Sequence, residues 1–551
     1  MFKTRAIFFR FMGKNTFKKV NFVCGCKTNG IFMKSVINHR NIYFFGLILL
    51  AASLPLSVFT TSVAEIILLV NWLVEGRFDI KWQVLRQRRS LWFIAALYML
   101  HLAGFLYTTD YAYGLHDLKI KLPVLLLPLV LGTSEPVTRS QLKAILLFFC
   151  SATAVSSIIS FLVFIHVIPL EYYDIRDISI FVSHIRLALM VNLALFVLLY
   201  YLFSRSETER LKGRYRFIAY AAILWLAFFL FILKSITGLV VFLVISMILA
   251  WFFAGRIKEI APRFIIRVFV LVIPLLVASW ITSSVSRFYN RDKVDFSSLD
   301  SLTAAGNPYF NDTLSQATEN GHYVWLYVNK AELRSCWNQR STYKFGGKDK
   351  RGQELRYTLI RYLTSKGLRK DCVGVNALTE EDIHAIEDGK ANYLFNERYS
   401  LYPRLYRIIW EIDGYMRGGN PSNHSIAQRF AYLRAAGGII SQHFIFGVGT
   451  GDVQQAFNDY YSSHHSVLGQ NNRRRAHNQY VTFFVTFGLI GFVVFLLSLF
   501  GPVFIEKRWN DYLFIVFFLL GLMSMLNEDT LETQTGVSFF MFFYCLFLFA
   551  R

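Results

Sequence analysis

The stretch Arg473-Arg474-Arg475-Ala476-His477-Asn478-Gln479-Tyr480 brings three guanidinium groups and one imidazole to the point where polar sequence runs into an apolar helix. Guanidinium stays protonated and binds phosphate oxygens through a bidentate fork. A neutral imidazole accepts a proton from a hydroxyl near neutral pH. The octapeptide thus places anion binding beside a base, with His477 as the candidate catalytic residue and Arg475 and Asn478 as possible supports. The bland alternative is a structural interfacial histidine among solvated arginines.

Other cations are candidates for the same anion. Arg429 lies in Ser425-Ile426-Ala427-Gln428-Arg429-Phe430, where aromatic and small neighbours imply packing and a packed guanidinium needs an anionic partner. Arg434, five residues on, is either a further support or a surface charge. Arg186, in His184-Ile185-Arg186, stands just inside an apolar run, where an arginine costs at least about 2.5 kcal/mol at mid-bilayer and is functional, paired or snorkelling. Lys234 lies in the turn Leu233-Lys234-Ser235-Ile236-Thr237-Gly238. Gly447, Gly449 and Gly451 mimic a phosphate loop but follow a helix and lack the Lys-Ser/Thr of a nucleotide site. A tight turn whose amides approach another backbone or an anion is the better reading.

The elements that position these residues are apolar. Hydrophobic residues make up 54% of the 551 and charged residues only 17%, with a mean hydropathy of +0.40. That is the composition of a polytopic membrane protein. The net charge of +22 is spread over short connections between apolar runs, so it reads as topogenic charge and membrane-lipid contact and not as a nucleic-acid surface. A crossing takes roughly 20 residues. Runs near 42–60, 62–75, 90–107, 118–133, 141–168, 180–203, 215–233, 236–254, 263–282, 478–500, 510–526 and 534–550 give about twelve transmembrane helices, the second and fourth being the shortest. The basic links, Arg77 to Arg89, Arg205 to Arg216, Arg256 to Arg267 and Glu506-Lys507-Arg508, all fall on the side of the N-terminus. Both termini are therefore expected in the cytoplasm, and the long segment between the ninth and tenth helices faces outward.

The expected architecture is an all-α polytopic membrane protein with a large α+β loop. It divides into a basic tail over 1–41, helices one to nine over 42–282, the loop domain over 283–477 and helices ten to twelve over 478–551. The first helix is read as uncleaved, and Met33 is an alternative start. In the loop, His322 to Val328 predicts a strand. Thr379-Glu380-Glu381-Asp382 opens a helix running to about Glu397, and a second helix covers Ser425 to His443. Cys24-Gly25-Cys26 shows no metal-ligand spacing, and no metal ligands or cofactor are expected. Cys336 and Cys372 pair only if the loop faces an oxidising compartment.

The order Ser425-x-x-x-Arg429, Phe446-Gly447-Val448-Gly449, then Ala476-His477-Asn478-Gln479-Tyr480 leading into Phe487-Gly488-Leu489-Ile490-Gly491 resembles the O-antigen ligase and O-antigen polymerase superfamily. The likeness is specific over about residues 425–500. It implies a metal-independent inverting glycosyltransferase of the bacterial inner membrane with a periplasmic loop. The implied donor is a glycan on undecaprenyl pyrophosphate. The acceptor is lipid A-core for a ligase in lipopolysaccharide biosynthesis, another lipid-linked glycan for a polymerase, or a Ser or Tyr hydroxyl for a protein glycosyl ligase. His477 then corresponds to the catalytic base, and Arg186 and Arg429 to ligands of the pyrophosphate. Many members carry an arginine just after the serine of the Lys234 turn, where this chain has Ser235-Ile236, so Lys234 would substitute from the preceding position. Twelve spans also suit a lipid-linked sugar transporter, although neither an inverted repeat nor a matched pair of broken helices is evident. The sequence does not fix an oligomeric state.

Overall fold

The structure, a computed structural model, describes residues 38–172, 175–204, 206–397, 400–422 and 424–549. The basic tail up to residue 37, with Cys24 and Cys26, and Arg205 of the second basic link lie outside the described residues. Among the described residues eleven α-helices precede the loop: α1 (His39–Ser53), α2 (Val58–Val74), α3 (Phe78–Gln87), α4 (Arg89–Phe105), α5 (Tyr111–Ile120), α6 (Leu122–Thr133), α7 (Arg139–Phe164), α8 (His184–Phe203), α9 (Arg214–Ile232), α10 (Ile236–Ala254) and α11 (Ile260–Tyr289). The loop carries β1 (Thr318–Glu319), β2 (His322–Tyr323), α12 (Lys330–Arg340), α13 (Leu355–Ser365), α14 (Cys372–Asn376), α15 (Glu380–Glu387), α16 (Tyr402–Met416), α17 (Ser425–Gln442) and α18 (Val453–Ser463). Then come α19 (Gln479–Ile505), α20 (Tyr512–Asn527) and α21 (Gln534–Phe549).

Each expected apolar run overlaps helix, 42–60 taking in α1 and the first residues of α2, 118–133 the pair α5 and α6, and the others one α-helix each. Among the described residues six helices, α7 to α11 and α19, are long and apolar enough to cross a membrane by length and composition. The pair α2 and α3, bent by 110°, makes a seventh if counted as one span. One apolar core joins the bundle, with α19 packed on α4, α21 on α6 and α7 on α8. Helix α11 buries only Ser284 and Phe288, leaving an apolar exterior suited to lipid.

The loop forms its own core around Leu333, Trp337, Leu359, Leu363, Ile383 and Ile386. A Cys336–Cys372 disulfide with Cα atoms 5.5 Å apart ties α12 to α14. The strand expected over His322 to Val328 is cut to a two-residue pairing, Glu319 opposite His322 and Thr318 opposite Tyr323. Tyr327 adopts φ 56°, which no extended strand accommodates, so Val324 and Val328 enter the core from irregular chain. The helix opens with Thr379 as its N-cap, as expected, and Asp382 completes a capping box. It stops at Glu387 and not at Glu397, because Gly389 takes φ 76° just beyond its last residues.

The glycine turn meets another backbone. Helix α19 is interrupted at Gly488 (φ 62°, ψ −162°), which frees amides and carbonyls inside an apolar bundle where each must find a partner. Residues 444–450 supply them. Leu489 N donates to Phe444 O at 2.8 Å, Val448 N to Val485 O at 3.0 Å and Gly449 N to Thr486 O at 2.9 Å. A Cβ on Gly488 would lie 2.3 Å from the Ile445 carbonyl, and one on Gly447 would lie 2.4 Å from the Phe487 amide. Gly488→Ala is therefore expected to destabilise the protein by about 1–3 kcal/mol or more, read as a lower thermal midpoint in detergent. Gly437→Ala, which meets nothing within 4 Å, should leave that midpoint unchanged or slightly raised.

Candidate functional site

The interrupted helix begins beside the acidic link between α20 and α21. Asn478 caps α19, accepting from Val481 N at 3.2 Å, and its amide donates to Leu526 O at 2.9 Å. Its role is thus to join the start of α19 to the end of α20. Gln479 continues the junction, donating to Glu532 Oε1 at 3.0 Å and accepting from Leu531 N at 2.6 Å. His477 precedes these two residues with φ 50°, a conformation a non-glycine residue keeps only when its surroundings over-determine it.

Three residues far apart in sequence meet around Glu528. Arg429, on α17, donates to Glu528 Oε1 at 3.1 Å and also hydrogen-bonds Asn527 Oδ1. His477 Nδ1 lies 4.0 Å from Glu528 Oε2, beyond hydrogen-bond length. Arg186, in the first turn of α8, shares with Glu528 a narrow crevice also lined by Leu189, Ser524 and Thr530. Among the described residues its guanidinium has no hydrogen-bond partner. Arg429 and Tyr432 occupy one face of α17, and the Tyr432 ring stands 5.7 Å from that of His477. Lys234, at φ 47°, sits in the turn before α10. Asn527 ties that turn to the site by donating to Thr237 Oγ1 while accepting from Arg429.

The remaining sequence candidates stand elsewhere. Arg434 is exposed and has no ion pair among the described residues. Arg475 is drawn into a second cluster, where it pairs with Glu532 at 3.1 Å and hydrogen-bonds the Tyr113 hydroxyl. Lys121 pairs with the same Glu532 oxygen at 2.8 Å and with Asp117 at 2.6 Å. Arg474, exposed beside His477, is the cation of the triplet whose field reaches the imidazole. None of Glu528, Glu532 and Asn527 is singled out in the sequence analysis. The available signal was three carboxylates in one short link on the side where cations were expected to gather an anion.

Burial, and then the Arg429 and Arg474 cations, hold the His477 imidazole down at about 4, so its base form dominates at neutral pH. Burial pushes the Glu528 carboxyl up, opposed by Arg429 and Arg186. Burial and the neighbouring Glu532 charge push Asp529 up to about 6, although Thr482 Oγ1 donates to it at 2.7 Å. Burial alone would raise Glu532 too, yet Lys121 and Arg475 hold it below the ordinary carboxylate range. The arrangement offers a neutral base, a pair of arginines, and one carboxylate occupying the position between them.

Residues 391–496 match the family described as O-antigen ligase. The matched stretch holds Arg429, the Gly447 to Gly451 turn, His477 and Gly488, and it places this region in the O-antigen ligase and polymerase superfamily. Comparison with curated proteins finds no match. Among the described residues the chain thus combines six helices long and apolar enough to cross a membrane with a region, residues 391–496, that is similar to the O-antigen ligase family.

The Glu532 cluster generates a stability test. Glu532→Ala strips the carboxylate from Lys121 and Arg475 and should cost about 3–5 kcal/mol, seen as a large fall in the detergent thermal midpoint. An unchanged midpoint would contradict the pairing.

Proposed function

We propose that this O-antigen ligase-type chain transfers a glycan from undecaprenyl pyrophosphate to an acceptor hydroxyl at the periplasmic face of a bacterial inner membrane. In this reading the chain crosses the membrane about twelve times with both termini cytoplasmic, and segment 283–477 lies in the periplasm. Lipid A-core is the acceptor we favour, because the matched family is described as O-antigen ligase. The observation that carries the proposal is the convergence of Arg186, Arg429 and His477 on Glu528, an anion already seated among them.

The chemistry follows from that geometry. The pyrophosphate competes with Glu528 for the Arg429 fork and takes the free donors of Arg186, with Lys234 at the neighbouring turn. His477 accepts the proton of the acceptor hydroxyl as its oxygen attacks the anomeric carbon. The bond from that carbon to the pyrophosphate breaks with its electron pair leaving on the phosphate oxygen. The arginines stabilise the charge that develops there. A single displacement of this kind inverts the anomeric centre and needs neither metal nor nucleotide.

His477→Ala should lower transfer by about 10²–10⁴-fold while membrane insertion persists, measured with purified protein and lipid-linked glycan, reading product mass against lipid A-core, lipid-linked and peptide acceptors. Retained transfer in that variant would defeat the mechanism, and product on a lipid-linked acceptor alone would make the enzyme a polymerase.

The pH profile is a second test. Only the unprotonated imidazole works, and its low position in the free protein means kcat/KM falls only as pH drops towards about 4. Bound pyrophosphate offsets the Arg429 and Arg474 charges that depress it, so the acid limb of kcat should lie at higher pH than that of kcat/KM. Coincident limbs would count against substrate contact with these arginines.

A further inference from the structure

Where α11 leaves the bundle and meets the disulfide-tied module, Arg287, Asn320, His322, Tyr393, Tyr402 and Tyr406 line a cavity of about 270 Å³. Ligand pockets for drug-sized molecules run from about 300 to 1,000 Å³, so this one suits a single sugar ring.

The floor is fixed. Glu319, buried, accepts from Asn392 at 2.8 Å and from the Tyr406 hydroxyl at 3.2 Å and pairs with Arg361 at 2.6 Å. Asn320 donates its backbone amide to that hydroxyl at 3.1 Å. With these groups mutually satisfied, the polar capacity left over belongs to the wall. The Arg287 guanidinium lies 4.6 Å over the Tyr402 ring and has no ion pair among the described residues. The Tyr393 and Tyr402 hydroxyls likewise have no hydrogen-bond partner among them. His322 Nδ1 faces Asp292 Oδ2 at 2.5 Å. That contact places a ring proton on Nδ1, facing the carboxylate, and leaves Nε2 for a hydroxyl.

We infer that this cavity binds one carboxylated sugar residue, a hexuronate, of the glycan that the enzyme handles. The Arg287 fork takes the carboxylate, His322 Nε2 and the two free phenols take ring hydroxyls, and the tyrosine faces cover the apolar side of the ring. The inference rests on the proposed glycan transfer and adds to it a recognition site away from the Glu528 cluster. Arg287, Asn320 and His322 precede the matched residues 391–496, whereas Tyr393, Tyr402 and Tyr406 fall inside them. The site is thus shared between the family domain and this chain's own module.

The test uses the full chain in detergent with methyl β-glucuronide, methyl β-glucoside and inorganic phosphate as probes, read by saturation-transfer NMR and calorimetry. Wild type should bind the glucuronide at least about tenfold more tightly than the glucoside. Arg287→Ala should weaken glucuronide binding by about tenfold or more. Tyr402→Phe, which removes one hydroxyl and leaves the ring, should weaken it without moving the thermal midpoint. His477→Ala should bind the glucuronide as wild type does while failing to transfer glycan. Absence of glucuronide binding to folded wild type, undiminished binding in Arg287→Ala, or displacement by phosphate as effective as by glucuronide itself would each overturn the inference. Glycan transfer surviving in His477→Ala would instead overturn the proposed function and leave sugar binding standing.

Discussion

A carboxylate enclosed in an apolar bundle must be paired, and Glu532 is paired twice over. Lys121 comes to it from the junction of α5 and α6, and Arg475 from the chain entering α19. Separating either cation would strand a charge out of water at a cost of several kcal/mol. Gln479 adds a neutral contact to the other oxygen. The start of α19 is thereby fixed to the α20–α21 link and to α5 at once, and His477, two residues before the helix, inherits that position. Every distance around the imidazole depends on this anchor.

Four residues earlier in the same link, Glu528 has the opposite character. It is shared between Arg429 and the field of Arg186, and the imidazole beside it stays neutral. A carboxylate that completes no closed ion-pair cluster is one an incoming anion can displace. Glu532 closes a cluster with Lys121, Asp117 and Arg475, whereas under the proposed function Glu528 keeps two arginines gathered for a ligand with more charge and better-matched oxygens. The broken α19 serves the same region, because Gly447 and Gly488 let the segment after α17 lie directly on the helix backbone below His477.

Hydropathy made the apolar helices legible, and local rules located the Thr379 cap, the start of α17 and the glycine turn. The residues with unusual chemistry for their surroundings, His477, Arg429 and Arg186, were legible too, and the structure brings them together. Contacts across long separations were not. Nothing in Arg473-Arg474-Arg475 says which guanidinium is spent on a carboxylate 57 residues later and which stays beside the imidazole. Periodicity assigns a face, and only packing assigns the neighbour on that face. The aromatic and β-branched run from His322 to Val328 failed as a strand for a related reason. A strand needs a continuous extended backbone, and here Val328 bridges Phe310 and Lys370 only singly while Tyr327 turns the chain at φ 56°.

The loop module and the cation site share a mechanical element. Helices α16 and α17 are consecutive, and the buried Glu411 of α16 accepts from Ile426 N at the start of α17 at 2.9 Å, a carboxylate on a helix N-terminus that also favours the dipole. Tyr406 on α16 forms the floor of the loop cavity and packs against Phe288 of α11, while Arg429 on α17 holds Glu528. Phe288, Tyr406 and Ile409 form one small core between the module and α11. A displacement of α16 by an occupant of the cavity would therefore act on the N-terminus of α17 through Glu411, one turn from Arg429. Within the module the disulfide closes α12 onto α14. Under the proposed function, α16 thus joins the sugar cavity to the arginine that would hold the pyrophosphate.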